Sequence, residues 1–319
     1  SINITILGTM LSFDRLGSNG RLGNQMFQYA ALRGIAANRN LPWMIPHKNT
    51  ESITDYCVQL PFKMKNLKPE NIGMMNGNYG QRQMHSFHEM FGTNPSVRNR
   101  IEAHFHFDED LFNNVLDDTN IDGFFQSEKY FIDIEDEIRE DFEFIDEILE
   151  PCKEFVGQFC DDVVFLHVRR GDAHGFDHLC VTKTFEEYYA PALEQFSDTT
   201  AVIVCSDEIE WCAEQEFFKD DRFYMSEDNE RFDNKCWLWL DGNPEFRQST
   251  IPYTDLCLMS LCNGGITATS SLSWWGAWLQ SERTNPVIVP EPWFGPNLML
   301  SNDTKDLIPD GWTQFTFRS

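Results

Sequence analysis

The sequence predicts an α/β chain in two halves, the second built on a parallel sheet. Three observations carry that reading. Short apolar runs at 163–166, 201–205 and 265–268 each end in polar or charged residues and lead on into helical patterns, the alternation that yields parallel strands joined by helices. A glycine-rich stretch at 17–25 opens an amphipathic segment that continues to Asn38. The length, 319 residues, suffices for two domains of ordinary size.

In chain order, residues 1–7 alternate isoleucine with polar residues and read as a first strand. The glycine loop and the helix after it can turn backbone N–H groups and a helix N-terminus toward an anion. Read on spacing alone, it is equally an ordinary strand-to-helix connection capped by Asn24. It is not a Walker loop, and it lacks the dinucleotide G-x-G-x-x-G spacing. Residues 41–120 are loop-rich, with Pro42, Pro46, Pro61, Pro69 and Pro95. His104 and His106 alternate with Phe105 and Phe107 as on a strand, which places both imidazoles on one face. Asp108, Glu109 and Asp110 follow. Such a D-x-D can hold Mn²⁺ through hard oxygens, but 51 acidic residues also produce triplets by chance.

Residues 121–131 read as a strand running into a loop, and 134–149 as a charged amphipathic helix. Pro151 and the pair Asp161, Asp162 bracket the expected boundary, which divides the chain into domains 1–155 and 156–319. Beyond the strand at 163–166 the pattern is helix at 185–196, strand at 201–205, helix at 209–218 and an irregular surface excursion at 228–252. A helix at 253–262, the strand at 265–268, a helix at 272–279 and a last short strand at 286–290 complete it.

The stretch 163–172, V-V-F-L-H-V-R-R-G-D, organises the rest. Its apolar start suits a strand buried on both faces, and ligands of open α/β sheets bind beyond the carboxyl ends of strands. There Arg169 and Arg170 offer planar, permanently charged forks suited to a diphosphate; the plain alternative is an arginine pairing with Asp172 to close a turn. Ser270 and Ser271 occupy the same position after a later strand, where hydroxyls can cap a helix and bind phosphate.

Acidic residues exceed basic ones by 26, which disfavours nucleic acid and anionic membrane surfaces as partners. Nine cysteines without paired spacing read as reduced core thiols. No run reaches the length of a membrane span, and the start lacks a charged signal region. The expected location is cytoplasmic, or the Golgi lumen only if an N-terminal anchor had been removed.

Five blocks resemble one family. H-V-R-R-G-D at 167–172 is similar to the H-x-R-R-x-D motif of α1,2-, α1,6- and protein O-fucosyltransferases. The blocks at 20–28 (G-R-L-G-N-Q-M-F-Q), 123–131 (G-F-F-Q-S-E-K-Y-F), 205–207 (C-S-D) and 270–279 (S-S-L-S-W-W-G-A-W-L) bring the match closest to glycosyltransferase family eleven, the α1,2-fucosyltransferases, over residues 16–294. The resemblance implies a GT-B fold of two Rossmann-like domains with the active site in the cleft between them. The first domain would be acceptor-side and the second would bind the donor. It implies GDP-β-L-fucose as donor substrate, a galactose-containing glycan linked at O2 as acceptor, inversion, and neither cofactor nor metal.

By position, Arg169 is then the main diphosphate ligand, with Arg170 supporting it or holding Asp172. His167 and Asp207 become guanine-side contacts, Ser270 and Ser271 phosphate-binding hydroxyls, and Gly23 and Asn24 the first-domain loop near the fucose. Leu272 stands where the family usually has Phe, and Glu208 where a second Asp is common. The excursion at 228–252 is longer than expected.

Inverting transfer also needs a general base. Asp177 lies ten residues past His167, the spacing at which α1,6 relatives place a carboxylate, and is nominated ahead of Asp172 and His174. A zinc site at His174, His178 and Cys180 is disfavoured by the single cysteine. The rival functions are a fucosyltransferase of other linkage, a metal-dependent GT-A enzyme using Asp108 and Asp110, and a non-catalytic carbohydrate-binding protein using exposed tryptophans.

Overall fold

The structure, a computed structural model, describes residues 10–17, 19–46, 57–73, 98–159, 162–170, 185–226, 237–239, 247–249 and 251–316. The chain forms two compact units, residues 1–143 with 304–308, and residues 144–303 with 309–319. Each holds a parallel sheet, so the expectation of two α/β units is met.

In the first unit, β1 (Leu11–Ser12), β2 (Trp43–Pro46), β3 (Ile72–Gly73), β4 (Arg98–Ile101) and β5 (Thr119–Asp122) lie in the order β3-β2-β1-β5-β4, all paired parallel. The chain builds outward from β1 to β3, then returns through β4 to place β5 on the other side of β1. The junction of β1 and β5 is therefore the topological switch point, where open α/β sheets take ligands. Asn120, buried on β5, ties it together: its Oδ1 accepts from Ser12 Oγ (3.3 Å) and Asp14 N (3.0 Å), and its Nδ2 donates to Asn99 Oδ1 (3.0 Å).

Helix Leu22–Arg39 buries most of its length, including Phe27, Tyr29, Ala30, Ala31 and Ile35. At Gly34 it packs so closely that a Cβ would sit 1.8 Å from the carbonyl oxygen of Tyr130. Arg33, buried on this helix, bonds Asp141 and Glu137 and lies 5.0 Å from the Trp43 ring centre. A buried Asp is tolerable only with such partners, and Tyr29 Oη also donates to it at 2.8 Å.

In the second unit, β6 (Val163–Val168), β7 (Ala201–Ser206), β8 (Phe223–Met225), β11 (Gly265–Ile266), β12 (Val287–Glu291) and β13 (Thr313–Thr316) form a parallel sheet ordered β13-β12-β11-β6-β7-β8. The chain runs outward from β6 to β8 and comes back to β11, so the switch point lies between β6 and β11. Helices Ile251–Leu261 and Ser271–Trp278 pack so tightly that a Cβ on Gly276 would lie 2.6 Å from Met259 Cβ. Trp274, Trp275 and Trp278 are buried there, which accounts for the W-W-G-A-W run.

Several expectations change. The chain divides after Glu143, ahead of the expected 155/156 boundary, because helix Asp146–Val156, with Pro151 inside it, belongs to the second unit. The single helix expected at 134–149 is two, Glu135–Asp141 and Asp146–Val156. The break comes where Phe142 turns into the core against Phe62 (ring centres 4.9 Å apart) and Glu143 O accepts from Lys63 N at 2.7 Å. The excursion at 228–252 contains an antiparallel ribbon, β9 (Trp237–Trp239) with β10 (Arg247–Ser249), and its end starts helix Ile251–Leu261. The strand β13 was not anticipated. The strand expected at 1–7 lies outside the described residues. Among the described residues, no helix is long and apolar enough to cross a membrane.

Candidate functional site

The sequence blocks gather into two clusters, one at the switch point of each sheet. In the second unit, β6 ends at Val168 and delivers Arg169 and Arg170. Arg169 Nη1 donates to Thr269 O at 3.1 Å, and Thr269 follows β11, so this bond spans the switch point. Next to it Ser270 takes an extended conformation and caps helix Ser271–Trp278, its Oγ accepting from Leu272 N at 3.3 Å. Such a cap stabilises a helix by about 1 kcal/mol. It also commits the Ser270 oxygen to the helix, while Ser271 occupies the first turn.

Arg170 is held from three sides. Its backbone N–H donates to Asp207 Oδ1 at 2.8 Å, its Nε donates to Glu208 Oε2 at 2.9 Å, and its guanidinium carbon lies 3.4 Å from the Trp211 ring centre. Asp207 and Glu208 follow β7, and Glu208 N is fixed by Ser206 Oγ at 3.0 Å. The partly exposed Arg170–Glu208 pair contributes under about 1 kcal/mol by itself, and the ring contact adds about 1 kcal/mol. Arg170 is thus a fixed strut, engaged with Glu208 and Trp211; Asp172, its expected partner, lies outside the described residues. The charges of Arg169, Arg170, Asp207 and Glu208 cancel, so this cluster can favour an anion by fork geometry and a helix N-terminus, with no net positive charge.

His167, on β6, is 4% exposed, and its backbone carbonyl accepts from Tyr189 Oη at 3.0 Å. It is a core residue in register with Cys205. Burial pushes the Cys205 thiol up, and burial lifts that of Cys212 to about 11 despite Ser206 and Arg170 nearby; both are inert core thiols. Sequence reasoning missed Glu208 as a partner and Trp211 altogether. An aromatic residue four positions after Asp207 was the one available signal.

The first-unit cluster uses mostly neutral amide groups. Gly20, at φ +94°, turns the chain into helix Leu22–Arg39, where Gly23 is buried in the first turn. Asn24 is not the cap: Arg21 occupies that position without a side-chain bond, and Asn24 Oδ1 accepts from Gln126 Nε2 at 2.7 Å. Gln28 Nε2 donates to Asn19 O (2.9 Å) and Gly123 O (3.1 Å), and Gln25 Nε2 to Gly20 O (3.2 Å). Two blocks a hundred residues apart in sequence thus meet through amide side chains.

Glu102, just past β4, fixes the turn after β5. Its Oε2 accepts from Phe124 N (3.1 Å) and Phe125 N (3.0 Å), and its Oε1 from Tyr130 Oη (3.1 Å). Burial lifts its carboxyl to about 7, against the pull of those three donors. Gly123 at φ +156° is required, since a Cβ there would lie 2.6 Å from Glu102 Cβ, and Phe125 is held at φ +52°. Such strain gathers at functional sites.

Both carboxylates of the D-x-D are engaged within the protein. Asp108 is buried as a helix cap, accepting from Leu111 N at 2.9 Å and Ala103 N at 3.1 Å, while Asp110 pairs with Arg100 at 2.9 Å. His104 and His106 stack ring on ring, 3.5 Å between centres, in a bend rather than a strand. Among the described residues no group of three or more metal-ligating side chains gathers, and no described tryptophan side chain is exposed. Asp172, His174, Asp177, His178 and Cys180 lie outside the described residues.

The family model described as Glycosyl transferase family 11 matches residues 116–299, more than half the chain. The α-1,2-colitosyltransferase of Escherichia coli is 27% identical over 312 residues, covering 92% of this chain and 96% of that protein. The O-antigen biosynthesis glycosyltransferase WbnK of Escherichia coli is 31% identical over 155 residues, 46% of this chain and 42% of that protein. Among solved structures, the fucosyltransferase NodZ from Bradyrhizobium is 12% identical and aligns over 85% of this chain and 93% of its own, with a TM-score of 0.42.

Proposed function

The chain belongs to glycosyltransferase family 11, and we propose that it is an α1,2-fucosyltransferase, moving L-fucose with inversion from GDP-β-L-fucose to O2 of a galactose in a glycan. The observation that carries the donor half is the Arg169–Thr269 bond across the β6/β11 switch point, beside the helix capped by Ser270. A diphosphate placed there meets a guanidinium fork and a helix N-terminus, which stabilise the charge that develops as GDP departs. Arg170 steadies that strand end, and Asp207, whose Oδ1 holds Arg170 N, faces the nucleotide side with His167 behind it. Gly23 and Asn24 serve the fucose side from the first unit, the acceptor-side domain of this reading.

Asp177 is proposed as the general base that takes the proton from the acceptor hydroxyl, with Asp172 and His174 as alternatives. The reaction uses neither metal nor cofactor, and the protein works in the cytoplasm. A second reading changes only the sugar: the relative matched over nearly the full chain is named a colitosyltransferase, so colitose is the rival donor sugar.

The test is GDP release with GDP-fucose and GDP-colitose as donors against a panel of galactose-terminated and other glycans, with linkage of the product read by NMR. Acceptor-dependent release with GDP-fucose, unchanged within a few-fold by EDTA or Mn²⁺, is the expected result. Release with GDP-colitose alone replaces the donor sugar, and near-complete loss in EDTA overturns the metal-free reading.

A further inference from the structure

We infer that Trp211 is a positioning residue of the donor site, its ring fixing the plane in which Arg170 presents its guanidinium to the diphosphate. The inference rests on the donor reading above, in which both arginines serve the diphosphate, and adds a residue to it. Glu208 is the N-cap of helix Ile209–Glu214 and Trp211 lies three residues on, so the two side chains share one face of that helix. Arg170 sits against both. Glu208 Oε2 accepts from its Nε at 2.9 Å, and its guanidinium carbon stands 3.4 Å from the Trp211 ring centre. At that separation the two planes are stacked, because a guanidinium turned edge-on would drive a nitrogen into the ring.

One edge and one face of the fork are thereby fixed, while Nη1 and Nη2 make no hydrogen bond among the described residues. These two nitrogens carry four of the five guanidinium donors, and the side chain is 20% exposed. A clamp built for stability alone would consume those donors. This one spares the edge that phosphate oxygens can take in pairs. The ring is itself backed. Phe185 stacks on it with centres 5.7 Å apart, Phe217 stacks on Phe185 at 4.6 Å, and the buried Phe218 meets Phe185 edge-on at 5.3 Å. This column packs against the hydrophobic core around β6 and β7 and so carries the plane of the fork back to it. An unrestrained arginine samples many rotamers, and freezing them on binding costs affinity; a fork held in advance has already lost that freedom.

The test measures GDP affinity of the full chain by calorimetry, with thermal melts to confirm folding. Trp211→Leu, which keeps apolar bulk, should weaken GDP binding about fivefold to tenfold, and Trp211→Phe, which keeps a ring face, should recover most of it. A double-mutant cycle separates positioning from packing. In an Arg170→Ala background, Trp211→Leu should change GDP affinity by less than about twofold, because the ring has no fork left to hold. Should Trp211→Leu fail to fold, Trp211→Met enters the same cycle and is read in the same way. A folded variant with wild-type affinity, or an equal loss in both backgrounds, makes Trp211 a packing residue and overturns the inference, as does an Arg170→Ala chain that binds GDP like wild type. A wild-type chain that binds no GDP overturns the donor reading and the inference with it.

Discussion

At the switch point of the second unit the strand ends are held by charge. Arg170 is clamped by Asp207, Glu208 and Trp211, and Arg169 reaches across to Thr269. At the switch point of the first unit they are held mostly by neutral amides, Asn24 to Gln126 and Gln28 to Gly123, with Glu102 pinning a strained turn. Both sheets turn back at such a junction, yet one ends in forks suited to a diphosphate and the other in amide side chains and a carboxylate tied to backbone N–H groups. The shared architecture supplies two places for ligands, and the side chains at each place select the chemistry.

That contrast can be broken or sharpened by mutation. The largest effect is expected at Asp177. As the general base, Asp177→Asn should lower turnover at saturating donor by about 10²–10⁴-fold while GDP-fucose binding stays nearly intact. A well-folded variant with near wild-type transfer, measured beside Asp172→Asn, would move the base elsewhere. Next comes Arg169. Arg169→Ala removes a charge-assisted contact of roughly 1.5–3 kcal/mol, so GDP affinity by calorimetry should fall by about tenfold to a hundredfold, and Arg169→Lys should recover little of it. Unchanged affinity would place the diphosphate away from the β6/β11 junction.

A smaller and sharper effect belongs to the first unit. Gln126→Ala removes the bond to Asn24, so it should alter transfer without altering GDP affinity, by roughly threefold to tenfold, as for a hydrogen bond of about 1 kcal/mol. Equal losses in both would mean the two clusters do not divide the labour as described.

The smallest effect concerns stability against pH. Burial raises the Glu102 carboxyl from 4.5 to about 7, so between those values the folded chain holds a proton that the unfolded chain has released. This contribution is fully present below pH 4.5 and is lost as pH rises toward about 7. Glu102→Gln should remove that component from a series of thermal midpoints across the window. An identical slope in both proteins would show that Glu102 ionises as it does in the unfolded chain.

Much of the fold was legible because strand and helix patterns are local. The apolar runs at β6 and β7 and the glycine loop before helix Leu22–Arg39 declare burial through their own periodicity. Other elements were not legible: β2, β3 and β4 lie in the stretch 41–120 that reads as loop-rich, and the three-residue β8 is too short to show a pattern. Among the described residues the edge strand β13 pairs only with β12, and it carries mainly exposed polar residues, so it has no apolar run to announce it. The ribbon β9–β10 lies in a stretch of mixed composition that shows no alternation. Asp108 was ambiguous for a related reason: a carboxylate before a helix reads alike as a cap or a ligand until its acceptor geometry is known.

By itself the sequence determined the alternation of elements, the blocks that mark the family and the residue types available at each strand end. Those follow from side-chain chemistry and from periods of two and 3.6 residues, which a linear reading contains. Only the tertiary structure decided that Arg170 is held by Glu208 and Trp211, that Asn24 answers to Gln126, and that Asp122 ends beside Ile101. Strand order and register bring such residues together, and these depend on how whole strands pack. No local stretch encodes its partner a hundred residues away.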